Sequence, residues 1–247
     1  MNIFATNRCI SLALLLIKEQ LKEPIALFWI IISPAAIYYL LSYSKGSSFP
    51  LTTSYIESAS WFLAYISSSV AFFGFSFYII GRRESGFIRS FIYTHEAKLI
   101  FLLAQFLAYS LISLAYGTTF YILTYFSFGS FELPELLIIL SRFYICFVLF
   151  SIPGILLTLL PINFQNASTI FSIASFIMLA LGILSTRQPH HAINLINTFN
   201  PLWIANKIMG EGIEKHYILT SAILLSFILV FFISLRFLRI NPVWSRY

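Results

Sequence analysis

The run 143-FYICFVLFSIPGILLTLLPINFQNASTIFSIASFIMLALGILS-185 contains no charged residue and is too long for one membrane crossing. A helix needs about 20 residues to cross roughly 30 Å of hydrocarbon, so the run holds enough for two. The break falls at 161-PINFQN-166, where a proline and two asparagines favour a turn at a membrane surface. The run therefore reads as two antiparallel spans, about 138–160 and 166–186.

Outward from this turn, four more uncharged runs are long enough for one span each: Pro24 to Ser44, Ser58 to Gly81, Leu99 to Phe131 and Tyr217 to Leu235. The expected architecture is an all-α membrane protein of six transmembrane helices, about 25–44, 58–80, 100–123, 138–160, 166–186 and 217–235. Residues 1–247 form a single transmembrane domain. Composition agrees, because 59% of the 247 residues are apolar, 10% are charged and the mean hydropathy is +0.88. Soluble domains carry about a quarter charged residues. The alternating pattern of barrel strands is absent, and a helix satisfies its own backbone groups in lipid.

Lysine and arginine set the orientation. With the N-terminus inside, ten fall on the cytoplasmic side (Arg8, Lys18, Lys22, Arg82, Arg83, Arg89, Lys98, Arg236, Arg239, Arg246) and five outside (Lys45, Arg142, Arg187, Lys207, Lys215). Both termini are then cytoplasmic in a multi-pass protein of the cell (inner) membrane. The net charge of +6 belongs to this topology, and no nucleic-acid partner is implied. Cys9 and Cys146 lie on opposite sides and cannot pair within one chain. Ile10 to Ile17 is too short an apolar core for a cleaved signal peptide and runs into 18-KEQLKE-23.

Residues 1–23 mix Ile3, Phe4, Ile10, Leu12, Leu14 to Ile17 and Leu21 with Arg8, Lys18, Glu19, Gln20 and Lys22. This predicts an interfacial helix that turns into the bilayer at Lys22-Glu23-Pro24. Pro34 and Pro153 stand inside spans, where a missing backbone donor favours kinks. The connection 187–216 carries two weakly amphipathic pieces separated by Asn200-Pro201, with Trp203 at headgroup level and Gly210 and Gly212 ending the second. It predicts short re-entrant or interfacial helices before the last span.

Several chemistries are missing. The phosphate loop G-x-x-x-x-G-K-[ST] is absent, so this chain does not hydrolyse ATP by itself. No Asp, Glu, Lys, Arg or His stands at the middle of a span, which argues against an ion-driven carrier and an intramembrane enzyme. Adjacent His190 and His191 point about 100° apart on a helix and chelate poorly, so no metal site is expected. An energy source must come from a partner.

The loop 82-RRESGFIRSFIYTHEAK-98 is where a partner would act. Phe87, Ile88, Phe91 and Ile92 fall at helical spacing, flanked by Arg82, Arg83, Glu84, Arg89, His95, Glu96 and Lys98. Such a helix suits a groove, the apolar knobs supplying affinity and the charged rim orientation. A helix resting in lipid headgroups would carry the same residues.

The Arg-Arg-Glu-x-x-Gly pattern of Arg82, Arg83, Glu84 and Gly86, together with the interfacial N-terminal helix, six spans and Pro201 segment, resembles the type-2 permease family of ABC exporters. The resemblance covers nearly the whole chain. It implies that about Gly86 to His95 forms a coupling helix seated in a separate cytosolic ABC ATPase subunit, which binds ATP and Mg. It also implies that the N-terminal helix packs near that subunit and that the Pro201 and Trp203 segment caps the exit. A second copy would join through the first and fifth spans. The small first outer loop and the weakly basic 201-PLWIANKIMGEG-212 depart from the polysaccharide-exporting branch.

In such a homodimer the path-lining candidates are Tyr65, Ser67, Ser68, Ser69, Ser76, Asn166, Ser168, Thr169, Ser172 and Ser175, although hydroxyls at this spacing also glue helices together. A lining without charge and rich in rings suits an apolar or amphipathic cargo. A non-transporting polytopic membrane protein, an immunity or assembly factor, is the other reading; it explains the missing charge equally well and requires no ATPase.

Overall fold

A computed structural model describes residues 3–44, 54–126, 131–187 and 191–243. Lys45, His190 and Arg246, and the first outer loop through residue 53, lie outside the described residues. Every element among the described residues is helical: α1 (Ile3–Leu21), α2 (Pro24–Ser44), α3 (Tyr55–Ser69), a π-helical segment (Val70–Ser76), α4 (Phe77–Glu84), α5 (Phe87–Phe91), α6 (His95–Tyr125), α7 (Leu133–Thr158), α8 (Phe164–Arg187), α9 (His191–Thr198), α10 (Pro201–Glu211) and α11 (Tyr217–Phe237).

Five rods are long and apolar enough to cross a membrane: Tyr55–Glu84, His95–Tyr125, Leu133–Thr158, Phe164–Leu184 and Tyr217–Phe237. They match the expected spans but overrun them by up to about five residues, because polar caps set the ends where hydropathy had set them by charge. Ser54 accepts the Glu57 N–H in a capping-box spacing, Thr94 accepts from Ala97 at 3.1 Å, and Asn163 accepts from Asn166 at 2.8 Å. The turn read at 161–166 falls at the α7–α8 junction but lies earlier, at 159–163, because Asn163 caps α8 and Phe164 to Asn166 are already helical. α2 contains 21 residues, with Pro34 inside a continuous helix, as Pro153 is in α7.

The rod α3–π–α4 is the centre of the bundle. Over its most apolar stretch 78% of residues are buried, against 28% for α8. α7 and α10 pack along α3, α6 and α7 flank the π segment, α8 touches α4, and α11 lies on α7. The extra residue of each π turn re-aims the ring sequence Phe72-Phe73-Gly74-Phe75. Phe72 stacks on Phe171 of α8, with centroids 5.2 Å apart, while Phe75 meets Phe147 of α7 edge-on. Phe73 instead faces a cavity.

α1 packs on α6 through a stripe of small residues: Ala5, Cys9 and Ala13 against Ile100, Ala104 and Ala108. Small side chains let two helices approach closely, which is how helices associate where lipid offers no hydrophobic drive. Its opposite face exposes Ile10, Leu14 and Leu15, as a helix resting in lipid does.

Candidate functional site

The Arg82–His95 segment is shaped first by a glycine. Ser85 N–H donates to the Gly81 carbonyl at 2.9 Å and Gly86 N–H to that of Arg83 at 3.0 Å, closing α4. Gly86 then takes φ 79°, a left-handed conformation that costs other residues roughly 1 kcal/mol or more, and α5 starts at once. Thr94 caps the start of α6 three residues after α5 ends.

The expected charged rim divides: Arg82, Arg83 and Glu84 turn inward, while Arg89, His95 and Glu96 are exposed. Arg83 is 1% exposed, and its guanidinium donates to the Thr158 carbonyl at 2.7 Å, to Leu160 at 3.0 Å and to Ile162 at 2.5 Å, with Nε on Glu84 at 3.0 Å. These carbonyls close the C-terminus of α7 and the turn into α8, where the helix leaves acceptors unsatisfied and its dipole favours a cation. Arg82 pairs with Glu19 at the end of α1 and lies 5.1 Å above the Phe87 ring. Glu84 accepts the Val243 N–H at 3.2 Å and so holds the C-terminal tail. The three residues thus bind α1, the α7–α8 turn, α5 and the tail to one helix end.

The knobs separate into two pairs. Ile88 and Ile92 are buried in the protein's own core, whereas Phe87 and Phe91 stack with centroids 5.7 Å apart and planes 10° off parallel. Phe91, Tyr93, Arg89 and His95 are exposed. Tyr93, at 81% exposure, was missed in the sequence because it lies off the helical spacing.

Beside this end lies a cavity of about 660 Å³ between α1, α2, the central rod, α6 and Phe164 of α8. Tyr65 and Ser69 line it. The other expected lining residues of α3 and α4 do not: Ser67 and Ser68 are buried and bonded to Ala64 and Tyr65 carbonyls, and Ser76 lies against Gly154. α8 offers Phe164 to the cavity; Asn166, Thr169 and Ser172 are exposed elsewhere, Ser168 is half-buried and Ser175 buried. Of these residues, Tyr65 and Ser69 are the ones at this cavity. Gly74 permits the closest approach in the wall, since a Cβ there would meet the Tyr109 ring at 2.6 Å. Tyr109 in turn donates to Gln20 of α1 at 2.7 Å.

At the opposite end, α10 packs into the bundle against α3 and α7 rather than lying flat on it. Leu202, Ala205, Ile208 and Met209 are buried, Trp203 meets Trp61 at 5.7 Å, and Pro201 opens the helix after an Asn200 cap. Arg142 donates to the Met209 carbonyl at 2.7 Å, a second guanidinium closing a helix C-terminus. Gly212 ends α10 at φ 96°.

The chain is similar end to end to Protein McbE of Escherichia coli, with 29% identity over 239 residues that cover 96% of this chain and 98% of that protein. No protein-family model matches it. No solved structure matches it either.

Proposed function

We propose that this protein is the membrane-spanning subunit of an ATP-driven exporter of the ABC type, with α2 as the sixth span and both termini in the cytoplasm. It pairs with a second copy and takes its energy from a separate cytosolic ATPase subunit that carries ATP and Mg. The observation that carries this reading is α5. It is a five-residue helix anchored to the bundle through Ile88, Ile92 and the Arg82–Arg83–Glu84 cluster, yet it turns Phe91, stacked on half-buried Phe87, outward beside exposed Tyr93 and Arg89. A lever must be stiff on the side of its load and open on the side of its motor, and α5 has both properties.

The ATPase would seat on the ring pair, and its closure would push through Arg83 on the α7–α8 turn and through Arg82 on α1. The test is co-purification from mild detergent. The parent should retain an ATPase subunit at one to one, and a Phe91→Asp, Tyr93→Asp variant should lose it at unchanged membrane yield. A well-inserted parent that retains none refutes the exporter and favours the immunity or assembly factor.

A further inference from the structure

We infer that the cavity beside α1 binds an amphiphile whose head carries an ammonium group, with the head at the Arg82 end and its apolar chain running toward the bundle middle. The cavity follows the central rod from Arg82 to Tyr65, about 25 Å at 1.5 Å per residue. That is close to the length of a membrane-spanning half-lipid with its head, and far more than a small polar solute needs. Its walls grade along this length.

At one end stand Glu19, Gln20, Glu23, Arg82 and Tyr78; deeper in, the walls are Ile30, Val70, Phe73, Ile112 and the faces of Tyr109 and Tyr116. Charge is unequal at the polar end. Two carboxylates face one guanidinium, and that guanidinium is already paired with Glu19. Among the described residues the Glu23 carboxylate accepts the neutral hydroxyl of Tyr78, and it stands exposed at the mouth of the cavity, open to a cation. Tyr78, bonded to Glu23, brings one aromatic ring to this end, and an aromatic face attracts an ammonium by cation–π as the carboxylates do by charge. A phosphate-only or sulfate head would meet net repulsion there.

Two sources offer this chemistry: phosphatidylethanolamine of the adjoining leaflet and a free cationic amphiphile. The inference stands apart from the exporter reading, and its assay contains no ATPase, so the two fail separately. The full chain would be released for native mass measurement from nanodiscs holding equal phosphatidylethanolamine and phosphatidylglycerol, before and after addition of dodecyltrimethylammonium.

The expected result is one ammonium-bearing molecule retained per chain with at least tenfold preference over phosphatidylglycerol. Glu23→Gln should lower that retention about tenfold, Glu23→Asp should preserve most of it, and Ser33→Trp, which fills the cavity without altering a carboxylate, should abolish it. Phosphatidylethanolamine retained and then displaced by the added cation identifies the lipid as occupant; retention of dodecyltrimethylammonium alone identifies a free amphiphile. Equal retention of both lipid heads by the parent, with no uptake of the added cation, overturns the inference whether or not any variant folds. So does ammonium retention that survives both Glu23→Gln and Ser33→Trp.

Discussion

Arg83 shows how one residue acquires a role that its sequence context hides. In the pattern Arg-Arg-Glu it reads as a rim charge, but it is buried against the α7–α8 turn, which presents three carbonyls to its guanidinium. A planar guanidinium offers five donors in a rigid fork, against three at a single point on a lysine ammonium. Removing it leaves those carbonyls without these donors, at about 1 to 3 kcal/mol for a buried unsatisfied group. Arg83→Met should therefore cost about 3 kcal/mol and lower Tm in detergent by roughly 10 °C, with Arg83→Lys recovering less than half. A parent-like Tm in Arg83→Met would refute the clamp. Cys9 offers a second residue-scale check: burial against α6 pushes its thiol up from the ordinary range, so it should resist maleimide in the folded protein and react fully in denaturant.

At the scale of elements, the α1–α6 contact decides whether α1 is a lipid-surface helix or part of the bundle. The interval of four between Ala5, Cys9 and Ala13 was visible in the sequence but was overshadowed by the larger apolar residues around it. Ala104, fully buried, marks the closest approach. Ala104→Leu should overpack the contact by about 1 to 3 kcal/mol and release α1 to added protease, while α6 itself persists because leucine is a good helix former. An unchanged cleavage pattern would mean that α1 is held mainly by Arg82–Glu19 and Tyr109–Gln20 instead. Of the element ends, the start of α10 was legible at Asn200-Pro201, whereas the caps at Ser54 and Thr94 begin their helices three and five residues before the expected spans, because hydropathy does not register a polar cap. The π segment was not legible, since no residue in 70-VAFFGFS-76 demands it; it arises where Phe72 and Phe75 must reach α8 and α7 while Gly74 yields to Tyr109.

Across the whole molecule, the proposed six-span topology would place Tyr93 and Phe199, each 81% exposed, on opposite sides of the membrane. With Cys9 and Cys146 buried, Tyr93→Cys should be labelled by an impermeant reagent only from the cytoplasmic side and Phe199→Cys only from outside. Labelling of both from one side would remove a span and reverse a terminus. The bulk architecture was readable because hydropathy and charge act through length alone: a long uncharged run has few stable states other than a membrane helix. The same logic located the turn near 161–166, while the helical spacing of Phe87, Ile88, Phe91 and Ile92 located the short α5. Tertiary structure alone decided which face of each helix is shared. It turned Arg82, Arg83 and Glu84 inward, divided the four knobs into a buried pair and an open pair, inserted α10 beside α3, and closed a cavity with two carboxylates at one end. Those outcomes depend on distances between residues far apart in the chain, where unsatisfied carbonyls, small-residue contacts and ring packing compete, and no local pattern records who wins.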